Sequence, residues 1–155
     1  MRLDLLYRMT RDNCTYTSMH AKADNMGSTI TVMTSSAGEI FGGYSSIPFD
    51  KNTKGRKTDF KSFLYSLTRD EKYPVKNPTK AYQEDDSFIF GFGKDDLKVK
   101  SNCKGSTYYF GEDFETKPYV TYSTWSTKTM NWLHKETDSD FQPLEIEVLQ
   151  VRALY

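Results

Sequence analysis

Glu39-Ile40-Phe41-Gly42-Gly43-Tyr44 is the stretch on which the reading of this chain turns. Two adjacent glycines weaken a strand by their entropy and missing side chains, so inside an aromatic, β-prone run they require a close backbone approach or a bulge in compensation. Just upstream, Ser28 to Thr34 sets Thr29, Thr31 and Met33 against Ile30, Val32 and Thr34, a period of two built mostly from β-branched residues. Ser35-Ser36-Ala37-Gly38 separates the two runs, which together read as a β-hairpin.

On the N-terminal side, Leu3 to Arg8 reads as an opening strand that Thr10-Arg11-Asp12-Asn13 breaks with turn chemistry. Thr15 to Lys22 predicts a short helix capped by Thr15 with Met19 on its apolar side. It ends at Asp24-Asn25-Met26-Gly27, where Gly27 suits a positive φ. On the C-terminal side, Asp50 to Lys57 predicts an exposed polar loop, and Phe63 to Leu67 a buried strand. Arg69 to Asp86, with Pro74 and Pro78, predicts mostly irregular surface with at most a short strand near Ala81-Tyr82. Ser87 to Phe92 and Leu97 to Val99 form a second hairpin, and Thr107 to Phe110 a short strand. Trp125 to His134 is ambiguous between helix and loop. Pro143 to Val151 is the closing strand, with Leu144, Ile146 and Val148 opposite Glu145 and Glu147. Many short strands with few helices predict a mostly β fold, an antiparallel two-sheet β-sandwich with short helices at its margins.

The 155 residues suit one domain, and 10 Phe, 11 Tyr and 2 Trp supply its core despite a modest apolar fraction. Lysine plus arginine equals aspartate plus glutamate at 21 each, without runs of either sign, which argues against nucleic acid as principal partner. Cys14 and Cys103 form no CxxC pair or metal-spaced cluster, so no metal site is expected. With no signal peptide and no apolar run of about 20 residues, a soluble intracellular protein with reduced thiols and no membrane insertion is the simplest expectation.

An ordered set of residues resembles the TLDc domain family. It comprises Leu5-Leu6-Tyr7-Arg8, Thr10-Arg11-Asp12, His20, Lys22, Asp24-Asn25, Gly27, Thr29, Phe41-Gly42-Gly43-Tyr44, Ile47-Pro48, Phe63-Leu64-Tyr65-Ser66-Leu67, Phe90-Gly91-Phe92-Gly93 and Glu145-Ile146-Glu147-Val148. The resemblance runs from about Leu3 to Val151, as one domain. It implies a two-sheet sandwich, a role in resistance to oxidative damage, and a protein partner, the proton-pumping vacuolar ATPase. It implies no cofactor and no firmly assigned reaction, and it marks Asp12, Gly27, Gly42, Gly43, Tyr44, Gly91 and Gly93 as motif positions of the fold. Asn13 stands where the family often has Gly, Ala23 where many members carry Cys, and Phe49 where Trp is frequent. The loss at Ala23 weakens any shared redox thiol.

The candidate catalytic residues are His20, Asp24, Glu145 and Glu147. His20 and Asp24 lie four apart on one helical face, and a glutamate of the closing strand would complete a polar site if that strand packs nearby. The competing reading has His20 and Asp24 fixing the helix and its exit turn by hydrogen bonds. Phe90-Gly91-Phe92-Gly93-Lys94 lacks the context of a phosphate loop and reads as a bulged strand entering a turn. A non-enzymatic interaction domain is therefore expected in a cytoplasmic setting, at an organelle membrane through its partner. The alternatives are a hydrolase or redox enzyme using the histidine and carboxylates, or a structural subunit of a stable complex.

Overall fold

The computed structural model describes residues 1–106, 111–115 and 140–154. The strand expected at Thr107 to Phe110 and the ambiguous stretch Trp125 to His134 lie outside them. Chain order runs β1 (Arg2–Arg8), α1 (Met9–Asp12), α2 (Tyr16–Ala23), β2 (Thr29–Ser35), β3 (Ile40–Ser45), β4 (Gly55–Lys57), β5 (Phe63–Ser66) and β6 (Glu71–Pro74). A 3-10 turn (Pro78–Lys80) leads to β7 (Tyr82–Glu84), β8 (Phe88–Phe92), β9 (Leu97–Lys100), β10 (Gly105–Ser106), β11 (Asp140–Phe141) and β12 (Pro143–Arg152). Two antiparallel sheets result, ordered β1-β12-β2-β3-β5-β6 and β11-β10-β9-β8-β7-β4.

The expected hairpins are present, β2 with β3 and β8 with β9. Three expectations fail. The segment Asp50 to Lys57, read as an exposed loop, ends in β4, whose three polar, little-buried residues carry no strand pattern. Besides the short strand expected near Ala81-Tyr82, the stretch 69–86 carries β6 where irregular surface was predicted, because β6 is short and commits only Tyr73 inward. Pro74 is tolerated as the last residue of β6 at the sheet edge. Likewise, Leu144 does not share the buried face of Ile146 and Val148 but is 55% exposed, because a register shift between Pro143 and Glu145 turns it outward.

The core fills the space between the sheets with Tyr7, Met33, Phe41, Ile146 and Val148 from one side and Tyr82, Phe90, Phe92, Leu97 and Val99 from the other. Aromatic rings meet edge to face, Phe41 on Phe141 at 4.9 Å and Phe92 on Tyr82 at 5.8 Å, the geometry that ring quadrupoles favour.

The double glycine sits where this packing is tightest. A Cβ on Gly43 would stand 2.7 Å from the Phe92 ring of the facing sheet. One on Gly42 would lie 1.8 Å from the Thr31 carbonyl oxygen and 2.8 Å from the Tyr65 hydroxyl. Tyr65 is cross-strand from Gly42, and its hydroxyl donates to that same Thr31 carbonyl at 2.7 Å. An aromatic ring thus covers the bare glycine backbone. Gly91 differs from both, since a Cβ there meets nothing nearer than 3.5 Å.

At the far side of the second sheet, buried Asp96 accepts hydrogen bonds from the backbone N–H groups of Gly111 (2.7 Å), Asp113 (3.1 Å) and Phe114 (3.3 Å). Asp113 in turn accepts from the Asn77 side chain and the Lys94 N–H. Burial, reinforced by the charge of Asp113, pushes Asp96 up to about 7 against the ordinary 3.8, although the N–H bonds pull the other way. The folded state therefore holds a proton that the unfolded chain has lost, and stability falls as pH rises from about 4 to 7. Asp96→Asn is expected to remove this slope, worth up to about 1.4 kcal/mol per pH unit, in urea denaturation between pH 4.5 and 7.5. An unchanged slope would assign the proton elsewhere.

Candidate functional site

Thr15 opens α2 as predicted, its hydroxyl oxygen accepting from the Ser18 N–H at 3.0 Å. The helix then presents Tyr16, His20 and, at its C-cap, Asp24. The i, i+4 spacing brings His20 Nδ1 within 2.5 Å of Asp24 Oδ1. Asp24 Oδ2 accepts the Lys51 N–H at 3.0 Å, and the Asn25 N–H reaches the Phe49 carbonyl at 2.9 Å, so the helix exit is tied to the segment after β3.

Across the sandwich, β7 supplies Glu84, whose Oε1 lies 3.1 Å from His20 Nε2 and 3.3 Å from the Tyr16 hydroxyl. The Nε2 contact is an ion pair set off the line of a hydrogen bond. The Tyr16 ring lies tilted against the imidazole at 4.2 Å, the Phe49 ring approaches it at 6.4 Å, and Lys54 Nζ reaches the Tyr16 hydroxyl at 2.5 Å while pairing with Asp86. His20 and Glu84 are sealed, with side chains 0% and 1% exposed. Tyr82 is buried beside them, close enough to feel the Glu84 charge, though neither its hydroxyl nor Glu84 Oε2 makes a hydrogen bond of standard geometry among the described residues.

Burial alone would lower the His20 pKa, but contact with Glu84 and then Asp24 outweighs it and the net shift is upward. Burial, with Glu84 and Asp24 adding to it, drives Tyr82 upward as well. The two acidic neighbours therefore favour the imidazolium form, in which His20 cross-links α2 to β7. Because the folded pKa is raised, this cross-link contributes fully below the ordinary histidine value of 6.5 and is lost as pH climbs through the folded value. His20→Gln is expected to destabilise the domain by roughly 2 kcal/mol or more at pH 6, leaving the buried Glu84 without its cation and Asp24 without its helical partner, and by less at pH 9. Urea midpoints at both pH values check this, and a gap that widens with pH would reverse the assignment.

Of the four candidate residues, the fold brings together His20 and Asp24 only. Glu145 and Glu147 lie on the opposite face of β12 from buried Ile146 and Val148. Glu145 accepts from the Thr10 N–H (3.2 Å) and hydroxyl (2.5 Å), and Glu147 pairs with Arg8 at 2.6 Å, so both fasten the β1–α1 corner. Asp12 serves that corner too, accepting the Arg8 N–H at 2.9 Å, with Arg11 and then this bond holding it low, at about 2. Tyr44 stacks on Phe63 at 5.0 Å, and Gly27 adopts φ +74 at the turn after α2. Gly93 has φ +65 and touches Asp96, where a Cβ would stand 2.2 Å from Oδ2. Glu84 was missed as the third member of the cluster; the signal available was the Tyr82-Gln83-Glu84 alternation, which places a tyrosine and a glutamate on one face of a strand.

A shallow depression of about 320 Å³ lies beside the cluster, lined by Lys54, Gly55, Gln83, Glu84, Asp85 and Asp86. Among the described residues no group of three or more His, Cys, Asp or Glu is disposed to hold a metal, and no helix is long and apolar enough to cross a membrane.

Cys14, one residue before the α2 cap, is joined to Cys103 in the β9–β10 turn by a disulfide. The expectation of two reduced thiols is corrected: the fold closes 89 residues of sequence to bring the sulfurs together. The support that free thiols lent to an intracellular setting goes with it.

Comparison with curated protein sequences gave no match. A family model described as the TLDc domain matches residues 1–152, nearly the whole chain. With the two-sheet sandwich and its glycine-centred packing, the chain belongs to the TLDc domain family.

Proposed function

We propose that this chain is a non-enzymatic protein-interaction domain that binds the vacuolar proton-pumping ATPase and contributes to oxidative-stress resistance through that partner. Family membership supports the partner and the role. The non-enzymatic reading is carried by His20, whose two ring nitrogens both face carboxylates and whose side chain is fully covered. Such an imidazole works as a cross-link; a general base needs a nitrogen within reach of a substrate proton. Affinity purification of the tagged chain from native cells, followed by mass spectrometry, should recover ATPase subunits. Recovery of none would sink this partner, and fixed stoichiometry at high salt would instead favour a structural subunit.

A hydrolase or redox reading draws on the depression that reaches Glu84. It requires Glu84→Gln to abolish protection of cells from peroxide while the domain stays folded. The interaction reading expects protection to persist in any Glu84→Gln protein that folds.

The proposed setting is the cytoplasm, at an organelle membrane reached through the partner. Alkylating free thiols at the moment of lysis tests it: a fraction of Cys14 and Cys103 should be captured reduced. A protein wholly oxidised in cells would place it in an oxidising compartment instead.

A further inference from the structure

Phe60 is the most exposed aromatic side chain among the described residues, at 75%, and it is held out on a fastened turn. Asp59 beside it is buried, with a carboxylate that accepts the Ser46 N–H (2.7 Å), the Ser46 hydroxyl (2.5 Å) and the Lys61 N–H (2.9 Å). The Asp59 N–H donates to the Pro78 carbonyl at 2.9 Å, and the Ser62 carbonyl accepts from the Val75 N–H at 3.0 Å. The backbone is thus tied on both sides of a ring that covers nothing. A rigid aromatic presented to solvent loses little conformational freedom on burial against a partner, which is what an anchor residue requires.

The same hydrogen bonds bring the turn against residues 78–80, and these pack beside β4. Each of the three adjoining segments carries an exposed cation, Arg56, Lys61 and Lys80, and none makes an ion pair among the described residues. Lys54, further along, pairs with Asp86. The strip changes sign at one end, where β4 begins: Gly55 pairs with the buried Glu84, and Asp85 and Asp86, which reach the surface, follow it. A broad anionic surface would meet these acidic residues together with the cations, whereas a narrow acidic segment can follow the cations alone.

We propose that Phe60, with Arg56, Lys61 and Lys80, forms a docking surface for an acidic peptide segment of a partner protein, one that carries an apolar residue to seat on the Phe60 ring. This rests on the interaction-domain reading above and assigns that reading a place on the fold.

The test uses the full chain, ¹⁵N-labelled, titrated with a synthetic peptide of alternating Asp and Glu around one central Leu. Amide shifts should concentrate at residues 54–61 and 78–82 and weaken with added salt. Lys61→Glu with Lys80→Glu should reduce affinity about tenfold, and Phe60→Ala about fivefold. Replacing the peptide's Leu by Ser should cost the wild type a similar factor and the Phe60→Ala protein almost nothing, since both changes remove one contact. No shifts, shifts elsewhere, or indifference to charge reversal would overturn the proposal. So would tighter binding to phosphatidylserine-containing vesicles than to the peptide, which would assign the strip to a lipid surface. In the cell purification, wild type without partners would defeat the interaction-domain reading; partners kept equally by a protein combining Phe60→Ala, Lys61→Glu and Lys80→Glu would defeat only this surface.

Discussion

Removing the Cys14–Cys103 bond, by a dithiol or by the double change Cys14→Ser and Cys103→Ser, is expected to lower stability by about 4 kcal/mol. The magnitude follows from loop closure. A cross-link spanning 89 residues removes many conformations from the unfolded chain, and that entropy returns when the bond is cut. The loss should therefore appear mainly in the unfolded state, with a lower urea midpoint and a native chemical-shift pattern preserved away from α2 and the β9–β10 turn. Locally, α2 would lose its tether just ahead of Thr15, so amide exchange in the first turn of the helix should quicken before that of β2 or β12. Equal midpoints for the oxidised and reduced protein would show that the unfolded chain is not what the bond restrains.

Gly42→Ala is the second large effect, expected to cost about 3 kcal/mol or more, or to prevent folding. The new Cβ would meet the backbone carbonyl of Thr31, which cannot swing aside as a side chain can, and it would displace the Tyr65 hydroxyl from that carbonyl. Gly43→Ala should cost less, because its obstacle is the Phe92 ring, though that ring is itself packed against Tyr82, Phe90 and Phe114. Gly91→Ala is the control, with room for its methyl and a change expected within about 1 kcal/mol. Thermal melts of the three proteins order the series. A Gly91 variant as damaged as Gly42 would mean that the close approaches at Gly42 do not set the cost, since strand entropy alone favours alanine at every such site.

The two-sheet fold was legible because β2, β3, β8 and β12 carry strong period-two or aromatic patterns, and α2 carries a capping threonine followed by one helical turn of apolar spacing. β6 was not, since its one buried residue, Tyr73, stands among prolines and lysines that elsewhere mark loops, and β7 was legible only as a short strand near Ala81-Tyr82. The site was half legible. The His20–Asp24 contact is local and follows from helical spacing, but its third member depends on which strand faces α2 across the core. Glu147 and Glu84 look equivalent in sequence; only the topology sends one toward Arg8 and the other toward the imidazole. Cys14 and Cys103 show the same limit, since proximity between distant turns is a property of the assembled sheets.

The place of β12 in the first sheet has a consequence for how the protein comes into being. This strand, residues 143–152, lies between β1 and β2, so the first two strands of the domain have no direct partnership with each other. During synthesis β1 leaves the ribosome with an unpaired edge, and β2 can pair only with β3 on its other side. The sheet cannot close until the last ten-residue strand arrives to fill the gap. Nascent chains stalled before residue 143 should therefore remain open to proteases and dependent on chaperones, and the whole domain should acquire its resistance in one late step.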